Sequence, residues 1–297
     1  MSQTAERDVR DLRVVITGAT SGIGEEIARG LVQRGAAVTI VARNKAKADA
    51  VATELAAGAA GAPAPEVVLA DLGDLASVRR AAAELDRRHD RIDVLVNNAG
   101  LAAMSPSRSA DGFELMMATN HLGPFLLTNL LLGKLGRSGS ARIVGTASEA
   151  HRLGGRPELR TLADPLDYGA LGGQAAYGRS KLMNVLFTAE LARRLDGLGV
   201  TANCFCPGLV ATGLSRDVQG VQRAATFLAR TPFVRRPEQG ARMGLRLVLD
   251  PALDGVSGQF FTSTPGARLL PSVAARNDAR YQRELWDRSA ELVGLPT

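Results

Sequence analysis

The chain has 297 residues, of which 45% are hydrophobic and 22% charged, a composition that suits one large α/β domain. No uninterrupted apolar run reaches the about 18 residues of a membrane span, and residues 1–12 are too polar for a signal peptide. The net charge of +6 is scattered along the chain and aromatic residues make up only 4%, which argues against a nucleic-acid interface. We therefore expect a cytoplasmic protein.

Cysteine and histidine are both scarce. Cys204 and Cys206 are too few for a disulfide framework, and their spacing in a predicted strand points both to one face as buried, inert thiols. His89, His121 and His151 lack the spacing of metal ligands, so we expect no metal site and ordinary helix or surface histidines.

Short β-branched runs alternate with amphipathic stretches along the whole chain. The predicted strands are residues 14–16, 38–41, 67–69, 92–96, 142–146, 200–205 and 259–261. The predicted helices are residues 24–34, 46–55, 77–88, 113–132, 177–195 and 238–249. This alternation predicts a single α/β domain over residues 1–297 with a Rossmann-type, doubly wound parallel sheet of seven strands flanked by helices. Such sheets bind ligands at the carboxyl ends of their strands.

A glycine-rich turn follows the first predicted strand. It reads Gly18-x-x-x-Gly22-x-Gly24 and leads into the first helix. Small residues let the backbone approach a pyrophosphate, and the helix N-terminus supplies amide donors. The G-x-G-x-x-G fingerprint is not matched, because Ile27 stands at its third glycine. The position in the first βα turn nevertheless favours nucleotide binding over a turn without a ligand.

The end of the second strand indicates which nucleotide is bound. Residues 42–45 include Arg43 and no acid. A ribose 2′-hydroxyl is usually met by an acid at this place, whereas a 2′-phosphate needs an arginine, which can bind it bidentately. The pattern predicts NADP(H) rather than NAD(H), and the alternative is that Arg43 stacks on adenine or faces solvent.

Tyr177 and Lys181 lie four residues apart and share one face of a predicted helix. An ammonium beside a phenol favours phenolate and lowers a pKa that is ordinarily about 10, which suits a proton donor and acceptor. The spacing alone arises by chance, so its weight depends on the upstream residues. Neither Tyr168 nor Tyr281 is followed by lysine at this spacing, and Ser148 is the one serine at the end of the fifth strand.

With these motifs in order, the chain resembles the short-chain dehydrogenase/reductase family over nearly its whole length. The matching motifs are Gly18-x-x-x-Gly22-Ile23-Gly24, Asp71-Leu72, Asn97-Asn98-Ala99-Gly100, Asn120, Ser148, Tyr177-x-x-x-Lys181 and Pro207-Gly208. Residues 120–129, 179–184 and 285–289 resemble its retinol-dehydrogenase-like branch, which includes the WW-domain oxidoreductases. The resemblance is specific for fold and chemistry and poorly specific for substrate.

The resemblance implies a catalytic set of four residues. Tyr177 would protonate the alkoxide during reduction, or remove the proton in the reverse direction. Lys181 would lower the tyrosine pKa and bind the nicotinamide ribose. Ser148 would hydrogen-bond the substrate oxygen where negative charge develops. Asn120 would hold a water that links Lys181 to solvent.

The resemblance also implies which residues contact NADP(H). Asp71 and Leu72 would bracket the adenine, and Asn98 would line the cofactor groove. The implied contacts are Gly18, Ser21, Gly22, Ile23, Gly24, Arg43, Asp71, Leu72, Asn98, Ala99, Gly100, Tyr177, Lys181, Pro207, Gly208, Val210 and Thr212. The last four would lie beside the nicotinamide. A homo-oligomer is expected by family analogy alone.

Three features bear on the substrate pocket. Pro124 lies inside the predicted helix 113–132, where an interior proline can kink the helix, so the bend shifts Asn120, widens the pocket or is absorbed. Ser148 and Tyr177 are unusually far apart, and we expect residues 149–176 to form one pocket wall. Residues 209–236 are predicted to form a lid, in which Phe227, Leu228, Phe233 and Val234 line the pocket or pack in the core.

These observations predict an NADPH-dependent oxidoreductase, such as a ketoreductase, that transfers a hydride between the nicotinamide cofactor and a ketone, aldehyde or alcohol. The expected partner is a small-molecule carbonyl or alcohol, either bulky and apolar or a secondary metabolite. Two alternatives stay open. One is reduction of a C=C or C=N bond by the same fold, and the other is a non-catalytic, NADP-binding regulatory protein.

Overall fold

The computed structural model describes residues 8–296 except for 60, 104, 170–171 and 211–234. Within these residues seven parallel strands form one sheet in the order β3-β2-β1-β4-β5-β6-β7. The strands are β1 Arg13–Thr17, β2 Ala37–Ala42, β3 Glu66–Leu69, β4 Val94–Asn97, β5 Ala141–Thr146, β6 Val200–Cys206 and β7 Phe260–Thr262. The predicted doubly wound sheet is confirmed.

Helices connect the strands and cover both faces of the sheet. They are α1 Gly22–Val32, α2 Lys45–Ala57, α3 Leu75–Arg88, α4 Leu115–Met117, α5 Gly123–Gly136, α6 Gly172–Arg194, α7 Pro237–Leu249 and α8 Ala279–Leu292. Side-chain caps define several starts, as at α2, where Asn44 accepts the Lys47 N–H at 2.9 Å, and α3, where Asp74 accepts the Ser77 N–H at 3.0 Å. None of the helices in the described part of the chain has the length and hydropathy needed to cross a membrane.

Two hydrophobic cores lie on opposite faces of the sheet. One packs α3, α5, α6 and α8 against it, and contains Phe125, Phe187 and Trp286. In this aromatic cluster the Trp286 ring centroid lies 4.9 Å from that of Phe125 and 5.8 Å from that of Phe187. The other core packs α1, α2 and α7, with Ile27 and Val248 fully buried. The two cores cover the faces of the sheet, and the candidate site lies at its carboxyl edge.

The predicted helix over residues 113–132 is present from residue 115 onward, but it is not one regular α-helix. After the single turn of α4, a π turn spans Ala118–Leu122, and α5 begins at Gly123. The Gly123 N–H bonds to the Ala118 carbonyl, five residues back, instead of four. Pro124, which has no N–H to donate, therefore stands in the first turn of α5 just after the change of register. Asn120 lies on the π turn.

The C-terminal helix α8 was not predicted from the sequence. Its N-cap Asp278 accepts the Tyr281 N–H at 2.9 Å, and it buries Leu285 and Trp286 on one face. An acidic cap followed by apolar residues at helical spacing was the signal that could have located it.

Candidate active site

The strand order reverses between β1 and β4, and the glycine turn after β1 lies at this switch point. A Cβ on Gly18, whose φ is +70°, would lie 2.7 Å from the Cα of Ala99. A Cβ on Gly24 would lie 2.2 Å from Asn98 Nδ2 and 2.5 Å from the Gly18 carbonyl oxygen. Glycine is required at both positions because the turn packs directly against residues that follow β4.

Asn98 joins the ends of three strands. Its Nδ2 donates to the carbonyls of Thr17 at 3.1 Å and Gly18 at 3.2 Å, while its Oδ1 accepts the Thr146 hydroxyl at 3.2 Å. Thr17 Oγ1 accepts the backbone N–H groups of Asn98 and Ala99, both at 3.0 Å. Asn98, predicted as a cofactor contact, thus shapes this edge of the sheet, and no such role was predicted for Thr17 or Thr146.

The N-terminus of α1 is suited to a phosphate group. Ser21 is its N-cap, is exposed, and makes no side-chain capping bond. The amides of the first turn are therefore left to other acceptors, and phosphate is the ligand that such helix ends commonly bind. Ile23 packs near Val210 over α7, since a Cβ on Gly240 would lie 3.2 Å from Ile23 Cγ1 and 2.8 Å from Val210 Cγ2. These residues fit a dinucleotide.

Arg43 follows β2 and is exposed, with no ion pair to a described residue. Its neighbours are already engaged, because Asn44 caps α2 and Lys45 pairs with Asp49 at 2.6 Å. Asp71 Oδ1 accepts the Gly73 N–H at 2.8 Å. Arg43 is therefore a cation at this strand end that is available to an anionic ligand.

Helix α6 brings Tyr177 and Lys181 together beside Ser148. Lys181 Nζ lies 5.6 Å from the centroid of the Tyr177 ring and donates to the Thr146 carbonyl at 2.9 Å. Ser148 lies near enough to the Tyr177 phenol to act on its pKa, and Ser148 Oγ accepts the Ala150 N–H at 3.1 Å. Three of the four residues predicted to be catalytic thus form one constellation at the carboxyl end of β5.

Burial dominates the protonation of this constellation. It raises the pKa of the Tyr177 phenol, and the neighbouring Ser148 side chain opposes the rise without cancelling it. Burial also lowers the pKa of Lys181 to about 8, so its ammonium form still prevails at neutral pH. The expectation that helix spacing gives Tyr177 a lowered pKa is wrong for the protein as described, because burial raises the pKa of the phenol.

Asn120 is fully buried and its amide is satisfied by protein groups. Its Oδ1 accepts the Leu101 N–H at 2.8 Å, and its Nδ2 donates to the Leu101 carbonyl and to Ser180 Oγ, both at 2.9 Å. A Cβ on Gly100 would lie 3.1 Å from Asn120 Oδ1 and 3.3 Å from Lys181 Nζ. The side chain therefore fixes the loop after β4 to α6, and the water relay stays a prediction.

His151 holds the turn that carries Ser148. Its Nδ1–H donates to the Ser148 carbonyl at 2.7 Å, which also accepts the His151 backbone N–H at 3.0 Å. The imidazole is fully buried against Phe260, with ring centroids 4.8 Å apart, and burial lowers its pKa. His151 was predicted to be an ordinary histidine, and its three-residue spacing from Ser148 was the missed signal.

Pro207, Gly208 and Val210 follow β6, at the carboxyl edge of the sheet. Gly208 has a φ of +86° and packs on Arg235, whose backbone N–H bonds to the Leu209 carbonyl at 2.8 Å. Thr212, together with the predicted pocket residues Phe227, Leu228, Phe233 and Val234, lies outside the described residues.

The predicted pocket wall, residues 149–176, is fastened to the C-terminal segment. Arg156 pairs with Asp278 at 2.7 Å and lies 4.3 Å above the Tyr281 ring centroid. The Tyr281 hydroxyl donates to the Pro157 carbonyl at 2.5 Å. Among the residues that the structure describes, no three His, Cys, Asp or Glu side chains cluster as metal ligands.

Comparisons with known proteins agree with this geometry. Residues 13–157 match the family model described as short chain dehydrogenase. The chain is 42% identical over 283 residues to retinol dehydrogenase 11 of Homo sapiens, across 95% of this chain and 86% of that relative. A crystal structure from Mycobacterium paratuberculosis matches with a TM-score of 0.73 and 32% identity, covering 97% of this chain and 96% of the other. The Pseudomonas aeruginosa RhlG/NADP active-site complex matches at 0.69 and 28%, covering 87% and 97%.

Proposed function

The chain belongs to the short-chain dehydrogenase/reductase family, in its retinol-dehydrogenase-like branch, and from this premise we propose that it is an NADPH-dependent reductase of bulky apolar aldehydes or ketones. The family's chemistry is oxidoreduction at alcohol and carbonyl groups. The observation that carries the proposal is the constellation of Ser148, Tyr177 and Lys181 beside a cradle that fits a dinucleotide.

Each residue of this constellation has a distinct role in the proposed reaction. A bound nicotinamide supplies or accepts the hydride. Tyr177 gives its phenolic proton to the carbonyl oxygen, and that proton is present at neutral pH because burial raises the pKa of the phenol. Ser148 Oγ already accepts the Ala150 N–H, so its own O–H can be donated to the same oxygen. The Lys181 ammonium stabilises the phenolate that remains.

Arg43 supports the preference for NADPH. It is exposed at the end of β2, where the chain has no acid to accept a ribose 2′-hydroxyl. A guanidinium can bind a 2′-phosphate bidentately, whereas the neighbouring Asn44 and Lys45 are engaged by α2 itself. The structural relative RhlG is an NADP complex, which is consistent with this preference.

The substrate class is proposed from the relatives. Several relatives with 38 to 42% identity bear the name retinol dehydrogenase, and such a substrate is long and apolar with one terminal oxygen. We therefore propose all-trans-retinal as the first probe, with decanal and acetophenone as smaller apolar carbonyls.

The first experiment follows NADPH oxidation with these three carbonyls. We expect turnover by the wild type and a loss of at least about 10²-fold in Tyr177→Phe, with NADPH affinity retained. Tyr168→Phe is the matched control, because Tyr168 lies in the pocket wall and has no lysine four residues later. Identification of the product as an alcohol excludes C=C reduction. Full activity of Tyr177→Phe would refute the mechanism.

A second experiment tests the cofactor. Arg43→Ala should lower kcat/KM for NADPH by about 10- to 100-fold, the loss of one charge-assisted contact, and leave kcat/KM for NADH unchanged. Lys47→Ala removes the same charge from an exposed site one turn away and should have little effect. Equal kcat/KM values of the wild type for NADH and NADPH would contradict the role of Arg43.

A further inference from the structure

Cys206 ends β6, is buried, and its sulfur contacts two loops at once. Sγ accepts the backbone N–H of Glu149 at 3.3 Å and that of Gly208 at 3.4 Å. It also lies 3.6 Å from Thr264 Oγ1, on the segment that follows β7. One side-chain atom therefore joins three chain segments at the carboxyl edge of the sheet.

The two amides belong to the loops that matter most to the proposed reaction. Glu149 directly follows Ser148, the proposed donor to the substrate oxygen, and Gly208 follows Pro207, on the side proposed for the nicotinamide. Hydride transfer requires the donor and the cofactor to be aligned, and a misplacement of about 1 Å can reduce the rate by about 10²-fold. A bridge between these loops sets the distance between the groups that they carry.

We propose that Cys206 is a positioning residue whose Sγ couples the Ser148 turn to the Pro207-Gly208 loop. This inference rests on the proposed function for the roles of Ser148 and Pro207. A thiol suits the task because it is a weak acceptor that can remain buried without a strong donor of its own. Its large sulfur reaches both amides, and serine at this position keeps an acceptor that lies closer to Cβ.

Cys204 provides a matched control within the same strand. It lies two residues earlier on the same face and is equally buried, at 1% exposure compared with 3% for Cys206. Cys204 packs in a small cluster with Ala147 and Val185, and in the described part of the chain no loop amide donates to its sulfur. Alanine substitution at either position therefore removes a buried thiol, but only Cys206→Ala removes the bridge between the loops.

The test compares Cys206→Ala, Cys206→Ser and Cys204→Ala. Hydrogen exchange of the Glu149 and Gly208 amides, measured by NMR, reports the bridge without requiring turnover. We expect Cys206→Ala to accelerate both amides, to lower kcat by about 10-fold with a smaller change in the KM for the carbonyl, and to weaken NADPH binding, measured by fluorescence, a few-fold. Cys206→Ser should restore part of each loss, and Cys204→Ala should show none of them at a comparable Tm.

The outcomes separate this inference from the proposed function. A wild type that binds NADPH but reduces no carbonyl refutes the function, while the exchange rates still report on the bridge. Equal exchange at the two amides in Cys206→Ala and Cys204→Ala would overturn the inference. It is also overturned if exchange accelerates while kcat and NADPH affinity stay at wild-type values, or if serine is as impaired as alanine.

Discussion

The buried imidazole of His121 should make folding sensitive to mild acid. His121 lies on the π turn next to Asn120, and its Nε2 hydrogen-bonds with Ser289 Oγ of α8 at 2.9 Å. The ring centroids of Phe125 and Phe187 each lie 6.1 Å from its own. Burial in this aromatic cluster lowers the pKa of His121 from its ordinary 6.5 to about 4.

The sign and size of the effect follow from this shift. Between pH 6.5 and about 4 the unfolded chain binds a proton at His121 that the folded protein excludes, so stability falls as the pH falls through this range. Well above pH 6.5 neither state is protonated at His121, and no stability is lost there. The shift corresponds to about 3 kcal/mol in full, of which about 2 kcal/mol is lost between pH 7 and 5.

Urea unfolding at pH 7 and pH 5 measures this loss in the wild type and in His121→Gln, which keeps a polar partner for Ser289. The carboxylates titrate in both proteins and cancel in the difference. The wild type should lose about 2 kcal/mol more than the variant over this interval. His89→Gln is the control: burial also lowers the pKa of His89, but this ring is only half-buried and bonds to Thr39 Oγ1 at 3.1 Å, so this variant should change the loss less than His121→Gln does. An equal loss in wild type and His121→Gln would refute the reasoning.

Two further substitutions test the cradle and the core. Gly24→Ala should abolish NADPH binding, measured by fluorescence, because its Cβ would lie 2.2 Å from Asn98 Nδ2. Gly133→Ala is the control, because a Cβ there would meet no atom within 4 Å. This variant should bind NADPH normally, and its free energy of unfolding in urea should rise by about 0.5–1 kcal/mol. Trp286→Ala should lower the free energy of unfolding by about 3–5 kcal/mol, since the indole is buried against Phe125; a loss below about 1 kcal/mol would contradict this packing.

The sequence predicted the sheet well because each strand is a short β-branched run between turn residues. The prediction failed where the backbone changes its helical register without a change in the local sequence pattern. Residues 113–132 read as one helix because the apolar spacing continues through the π turn Ala118–Leu122, whose extra residue leaves no mark in that spacing. Helix α8 was not predicted because its short amphipathic pattern follows a run of irregular turns.

The site was predictable to the extent that its chemistry is local. Tyr177 and Lys181 are one helical turn apart, so spacing alone puts them on one face. The contacts of Cys206, in contrast, do not follow from local spacing. Its sulfur reaches the Glu149 amide only because β5 and β6 pair with Thr146 opposite Phe205. Register between strands is set by the whole sheet, so no local pattern shows it. The pKa of Tyr177 likewise depends on burial, which spacing does not reveal.

Substrate choice should depend on two segments that are distant in sequence. The pocket wall was predicted as residues 149–176, but its position is set by the C-terminal segment, since Arg156 pairs with Asp278 and Tyr281 bonds to the Pro157 carbonyl. Arg288 of α8 adds a bond to the Arg160 carbonyl at 2.9 Å. A wall transplanted into a relative without these partners would lose charge-assisted contacts that fix its backbone. We therefore expect specificity to depend on both residues 149–176 and α8.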